Sequence, residues 1–315
     1  LNDVPLAISA VGGETLEAAE ISSVTALIPY VPGLTGSATG IATNVWNIRG
    51  IGTNDFTVGS EPAVAVFLDD AYIGRNVNAT TAFYDVERIE VVKGPQGTLF
   101  GRNTPAGIIK FDSRKPTQEF SANGKFSYGS HNTVHAEGGI GGSIVDDKIA
   151  VRLSAMHRQR SDYVNNAILN TSGDDLGGFK EFAGRAQMLI TPTEDLDILL
   201  NAHTRDITGT SALFRANIIK RGEGGLIDGF DRDTVTFDGG AENKQAADTH
   251  GYSGKINYDF GNVVLTSITG YEQGESESVG DIDGGFVGPN SFNNAGAPNP
   301  LTPDTIAFPA ETQDR

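Results

Sequence analysis

From Glu119 onward the chain alternates apolar and polar residues with a period of two, segment after segment. In FSANGKFSY, Phe120, Ala122, Gly124, Phe126 and Tyr128 share one face, and Ser121, Asn123, Lys125 and Ser127 the other. In TVHAEGGIGGSI, Val134, Ala136, Ile140 and Ile144 oppose His135, Glu137 and Ser143. KIAVRLSAMHR sets Ile149, Val151, Leu153 and Ala155 against Arg152, Ser154 and Arg158. FAGRAQMLI, DLDILLNAHTR and GYSGKINYDF repeat the scheme, and NVVLTSITGYEQ is a seventh, less regular copy. Such alternation puts successive side chains on opposite faces of a β-strand. Segments of about 9–11 residues match a membrane-crossing strand, apolar to lipid and polar to a lumen. Strands of a soluble sandwich are usually about 5–6 residues. Tyr128, Phe182, Tyr258, Phe260 and Tyr271 stand at segment ends, where interfacial aromatics belong. Every second connection is tight (Asp146-Asp147, 191–195, Gly261-Asn262), and the others are mostly long (159–178, 207–248, 274 onward), the first, at 129–132, being short. Short turns at one end and long loops at the other are the asymmetry of an outer-membrane barrel. The pattern predicts an antiparallel transmembrane β-barrel over 117–315, incomplete in this chain at about seven strands of a larger barrel. An odd count leaves an open edge, so the barrel is expected to continue past Arg315.

Residues 1–116 obey a different grammar and predict a small α+β domain with many loops. Ile8 to Val11 is β-rich, and 13–26 carries a weak helical pattern through Leu16, Ala19 and Val24. YVPGLTGSATG reads as loop, broken by Pro32 and Gly33. NVWNIRGIG and PAVAVFLDDAYIG read as strands, the second turning at Asp69-Asp70. DVERIEVVKG is a strand with Val86, Arg88 and Glu90 opposite Glu87, Ile89 and Val91, and AGIIKFDS is another. Between these two lie Gly94, Gly97, Gly101 and Gly107, with Pro95 and Pro105. Glycine serves where the backbone needs positive φ or close approach, so this stretch predicts turns of small footprint. Arg114-Lys115-Pro116 closes the domain.

Composition narrows the chemistry. A net charge of −17 argues against nucleic acid as a partner. Cysteine is absent, so there is neither a disulfide framework nor a thiolate metal site. No apolar run reaches the roughly 18 residues of a spanning helix, which says nothing against barrel strands. The sequence begins at Leu1 without a signal-type apolar stretch and ends after a loop-like run, so a fragment or processed piece is expected. The glycine stretch has neither a GxGxxG after a strand nor a Walker ending, no GxSxG occurs, and the five histidines are scattered. The acidic run DGFDRDTVTFDGG lacks EF-hand spacing and reads as a solvated loop. No catalytic residue, resident metal or cofactor is expected.

With these motifs in view, the sequence resembles a known family. NIRGIG (Arg49-Gly50), VAVFLDDAYIGR and above all VERIEVVKGPQGTLFGRNTPAGIIKF resemble the plug signature of TonB-dependent outer-membrane receptors. LNDVPLAISAVGGETLEAAEI resembles the entry to that plug, and GGSIVDDKIAVRLSA the turn between the second and third barrel strands. IIKFDSRKP departs from the usual strand ending and points to a subgroup.

The resemblance implies a plug over 1–116 inside a barrel of about 22 strands. It implies active uptake driven by TonB through an N-terminal segment; nothing like that segment precedes Leu1 here. The implied cargo is a scarce small molecule. A ferric siderophore is the commonest, with cobalamin or a saccharide as alternatives; a passive porin or adhesin barrel, or a soluble β-rich binding protein, are readings from other classes. Plug apices would touch cargo: Ser37, Thr53, Asn54, Asp55, Phe56, Arg75, Asn76 and Val77. Plug arginines Arg49 and Arg102 would lock onto barrel carboxylates such as Glu137 and Asp197. The implied location is the bacterial outer membrane, with its lipid bilayer as a further partner.

Overall fold

In the computed structural model, the described residues are 7–39, 41, 43–53, 61–74, 83–167, 176–215, 218–220, 222, 224–235, 243–281 and 305–314. The N-terminal domain holds β1 (Ala7–Gly12), β2 (Leu34–Thr39), β3 (Thr43–Ile48), β4 (Ile51–Gly52), β5 (Val64–Leu68), β6 (Ala71–Ile73), β7 (Val86–Lys93) and β8 (Gly107–Ser113). Its helical turns are α1 (Gly13–Ala18), α2 (Val24–Leu27) and α3 (Gly97–Phe100). One sheet runs β1-β7-β8-β5-β6, with β5 and β8 parallel and the other pairs antiparallel. A smaller antiparallel sheet runs β2-β3-β4.

The core between these layers holds Leu16, Leu27, Trp46, Ile48, Val66, Ile89, Val91, Ile109 and Phe111, all buried. Each such side chain contributes about 1.5–3 kcal/mol by leaving water. Gly107 sits at φ 144, and a Cβ there would lie 2.3 Å from the Val92 carbonyl oxygen and 2.9 Å from Ile48 Cδ1. The opening of β8 is therefore pressed against β7 in a way only glycine allows.

Three local expectations change. Leu34–Thr39 is a strand rather than a loop, because its backbone pairs with β3 from Leu34↔Ile48 to Thr39↔Thr43. The expected helix over 13–26 is two short turns: the chain breaks at Glu20 (φ 52), and Ser23 Oγ then accepts from Ala26 N to start α2. In β7 a register shift between Val86 and Arg88 brings Val86 onto the core face with Ile89 and Val91, while Val92 is buried on the opposite face against Ala65, Phe67 and Ile108, in place of strict alternation. A bulge of this kind inserts a residue and changes the facing of the residues after it.

The wall is an eight-stranded antiparallel meander. Its strands are β9 (Ser121–Gly129), β10 (Thr133–Val145), β11 (Ile149–Arg160), β13 (Phe179–Thr193), β14 (Leu196–Thr210), β16 (Lys244–Asp259), β17 (Val264–Asp281) and β18 (Thr305–Asp314). Two-residue strands β12 (Asn165–Asn166) and β15 (Thr234–Val235) pair in the loops. The alternation holds: Arg152, Ser154, Met156, Glu181, Arg185, Gln187, Asn201 and Arg205 are buried toward the N-terminal domain. Leu153, Phe182, Met188, Leu200, Tyr252, Leu265 and Tyr271 are exposed on the other side.

The strands differ from expectation in length and number. β13 and β14 have 15 residues, β16 has 16 and β17 has 18. Alternation is legible only where one face is exposed and apolar and the other buried and polar, whereas the backbone ladder continues beyond that stretch. The first residues of β16, KQAADTH, are polar on both faces yet fully paired to β14 and β17. β18 is an eighth strand from a stretch read as loop; Pro309 breaks its pattern, but it pairs with β17 over ten residues.

Candidate functional site between the two domains

The two domains meet across a buried polar interface. Asp85, just before β7, is its centre. Its Oδ2 accepts from Arg152 Nε at 2.6 Å and its Oδ1 from Arg152 Nη2 at 2.6 Å, while Ser154 Oγ also donates to it. Both side chains are almost wholly buried, 3% exposed for Arg152 and 1% for Asp85. Arg152 also donates to Asn123 Oδ1 at 2.6 Å and Ser121 Oγ at 3.1 Å, which orients the guanidinium from β9. A planar fork on a carboxylate is the strong, directional form of ion pair. Beside it, the Arg185 guanidinium lies over the Tyr84 ring at 4.6 Å, and Tyr84 packs with Met156 and Ala183.

Asp69 and Asp70 make the second seat. They occupy the two central positions of the β5–β6 hairpin, at φ 50 and 70. Both central residues of a type I′ turn need positive φ, which aspartate tolerates better than most residues. The turn aims both carboxylates at the wall. Asp69 accepts from Ser113 N at 2.9 Å, Ser113 Oγ at 2.7 Å, Asn201 Nδ2 at 3.2 Å and Gln187 Nε2 at 3.3 Å, and it pairs with Lys115. Asp70 pairs with Lys110 of its own domain and Lys255 of the wall, each at 2.7 Å.

Burial alone would raise these carboxyls, but their cationic neighbours win. Lys115 and Arg185 hold Asp69 below the usual carboxylate range, and Arg152 with Ser154 does the same for Asp85. Lys110 and Lys255 act likewise on Asp70. These groups are therefore anionic at neutral pH, and the seat is a charge-paired one.

Two further contacts join the domains. Glu181 on the wall is held between Arg158 and Arg205, and Arg158 Nη1 donates to the Ser22 carbonyl at 3.0 Å. At the β2–β3 connection, Ile41 N donates to Gln245 Oε1 at 2.7 Å, and Ile41 packs on Ile207 and Ala247.

The residues expected to form the lock lie elsewhere. Arg49 (φ 53) opens the β3–β4 turn, is exposed, and sits beside Lys93, whose pKa is lowered by burial and then by the Arg49 charge. Arg102 is exposed and pairs with Glu61 of its own domain at 3.3 Å. Glu137 bonds His135 at 2.9 Å and lines a small cavity of about 30 Å³ with Asp85. Asp197 accepts from Asn257 Nδ2 at 2.7 Å. Among the described residues, neither arginine meets either carboxylate. In the Asp85–Arg152 and Asp70–Lys255 pairs that do join the domains, the carboxylate stands on the N-terminal domain and the cation on the wall. The physical reason is position: both arginines stand in exposed turns, whereas Asp69 and Asp85 stand where the domain presses on the strands.

Of the expected apical contacts, Ser37 is exposed on β2 and Thr53 comes just after β4, half-buried. Asn54, Asp55, Phe56, Arg75, Asn76 and Val77 lie outside the described residues. At the loop ends of β11, β13, β14 and β16, an open cleft of about 660 Å³ is lined by Arg160, Asp162, Phe179, Lys180 and Lys244, among others.

Residues 1–108 match the family model of the TonB-dependent Receptor Plug Domain. Residues 1–108 thus form a plug domain of this kind, and the antiparallel strands after it match the barrels of such receptors. Over 161 residues the chain is 28% identical to the ferrioxamine B receptor of Salmonella typhimurium, half of this chain and 22% of that protein. Over 171 residues it is 25% identical to the ferripyoverdine receptor of Pseudomonas aeruginosa, 54% of this chain and 20% of that one. The chain thus spans about a fifth of the length of these curated relatives. Its fold matches the ferric yersiniabactin uptake receptor from Yersinia pestis with a TM-score of 0.73 at 20% identity, covering 87% of this chain and 42% of that one. The ferripyoverdine receptor of the Pseudomonas aeruginosa outer membrane matches with a TM-score of 0.69 at 16% identity, covering 91% and 37%. On the strands described, the plug rests chiefly on the Asp85–Arg152 clamp and the Asp69–Asp70 turn.

Proposed function

We propose that this chain is part of a receptor that carries a ferric siderophore across a bacterial outer membrane, driven by TonB. The observation that carries the proposal is a plug seated on the lumen wall by buried, charge-paired contacts, chiefly Asp85 on Arg152. Such a seat closes the path at rest, yet it is made of polar contacts that water can replace when the plug moves. A passive porin has no use for it. The siderophore assignment is supported by the relatives, which are receptors for ferrioxamine B and ferripyoverdine. Cobalamin and saccharides are the alternative cargoes for the same mechanism.

In this reading the cargo binds from outside to plug apices, Ser37, Thr53, 54–56 and 75–77, and to barrel loops. TonB, engaging an N-terminal segment, then pulls the plug from its seat. No covalent bond is made or broken, so the work is transport. The test is uptake of radiolabelled ferric siderophores by iron-starved cells that carry the full-length receptor as their only siderophore receptor. Uptake that disappears when TonB is deleted is the expected result. Uptake that persists without TonB, or a receptor that passes no iron chelate in such a screen, refutes the assignment.

A further inference from the structure

The sequence GGIGG at 138–142 lies in β10, where bulkier residues would strengthen a strand. Glycine costs stability in a strand interior, so five positions with four glycines need a reason. The register supplies one. Gly139 stands opposite Asn123 of β9 and Ser154 of β11, and Gly141 opposite Ser121 and Arg152. Gly139 and Gly141 are both buried on the plug-facing side, so together they leave a shallow trough on the inner wall. The Arg152 guanidinium lies in that trough: it reaches over β10 to Asn123 and Ser121 while its other edge holds Asp85. A Cβ on Gly139 would stand 2.6 Å from Arg152 Nη2 and 2.6 Å from Asp85 Oδ2. Neither atom can give way cheaply, because each is the buried end of the same bidentate pair.

The geometry points to Gly139 as a positioning residue for the plug: its missing side chain is what lets Asp85 reach Arg152 against the wall. The three atoms nearest that Cβ all belong to the clamp's side chains, one to Arg152 and two to Asp85, and none to neighbouring backbone. The inference rests on the plug reading, but on no particular cargo.

The chain has no cysteine, so a single introduced thiol is a clean reporter. Phe83, half-buried beside the clamp, is the place for it. The full-length receptor carrying Phe83→Cys is labelled with a water-soluble maleimide in outer membranes, alone and with Gly139→Ala, Asp85→Asn, or both. Barrel folding is followed in each by the mobility difference between boiled and unboiled samples. Overpacking of a closed contact makes Gly139→Ala label at least about tenfold faster, with the barrel still folded. Asp85→Asn alone also speeds labelling, and adding Gly139→Ala to it brings little more, because the contact is already broken. Gly124→Ala is the control: its Cβ meets only the Glu137 carbonyl oxygen, at 3.7 Å, and labelling stays as in the parent. Unchanged labelling in Gly139→Ala overturns the assignment. So does a full additional effect in the Asp85→Asn background, or a barrel that no longer folds, since either places the defect in the strand and not in the seat. None of these readouts uses transport, so uptake can fail while this inference stands, and the reverse.

Discussion

Asp85→Asn isolates the clamp. The carboxylate takes both Arg152 contacts at 2.6 Å and a third from Ser154. In the variant the amide oxygen can keep one of them, but the amide nitrogen is a donor facing a donor. Arg152 stays buried with only neutral acceptors, Asn123 at 2.6 Å and Ser121 at 3.1 Å. Breaking one side of a buried pair costs about 3–5 kcal/mol, and these remaining acceptors argue for the lower end, about 3. That is roughly a hundredfold increase in the population of unseated plug. Hydrogen–deuterium exchange of the full-length receptor in detergent measures it. Amides of β7 and β8 that exchange through plug release should exchange roughly a hundredfold faster. Arg102→Gln breaks only the exposed pair with Glu61 and should leave the same amides within about twofold. If Asp85→Asn exchanges like the parent, the clamp does not hold the plug, and the reasoning from burial and geometry is wrong.

The carboxyls of Asp69 and Asp85 lie below their ordinary values, so the stability they contribute is complete above about pH 4 and is lost as acid protonates them in place. Plug seating, read by the same exchange, should be flat between about pH 5 and pH 8 and should weaken only below about pH 4. Lys255→Ala should cost under about 1 kcal/mol of seating, because the pair is partly exposed and Asp70 keeps Lys110; a loss as large as that of Asp85→Asn would contradict this. Gly107→Ala combines a φ of 144 with contacts of 2.3 and 2.9 Å. It should destabilise the plug by about 3 kcal/mol or more in chemical unfolding, with the barrel unaffected.

The barrel strands were legible because their alternation is a boundary condition: one face apolar and exposed, the other polar and buried against the plug. Where that condition ends, as in the upper half of β16, the pattern fades although the strand continues. β18 was illegible for the same reason, compounded by Pro309. The plug's motifs were legible as a resemblance, and Asp69-Asp70 was legible as a turn. Its role was not, since a carboxylate in a turn looks solvated until the wall is known to stand against it. Asp85 sits in YDVERIEV like any strand-edge acid, and nothing local marks Arg152, 67 residues later, as its partner. The lock needed two domains to be seen, and a one-dimensional reading favoured the arginines, whose charge is conspicuous in glycine-rich turns.

The placement of the seat bears on how the plug moves. Asp69 grips Ser113 and Lys115, the residues at which the chain leaves β8, and Arg152 touches Ser121, the residue at which it enters β9. These two anchors therefore cluster at the covalent joint between the domains, while Ile41 on Gln245 and Arg158 on Ser22 hold the plug farther from it. A body turning about such a joint moves little there and most far away, so the Ile41–Gln245 contact, on the longest lever, would be the first to part. Such a swing would part the β2–β3 end from the strands before the joint, without stretching the polypeptide that ties the plug to its own wall.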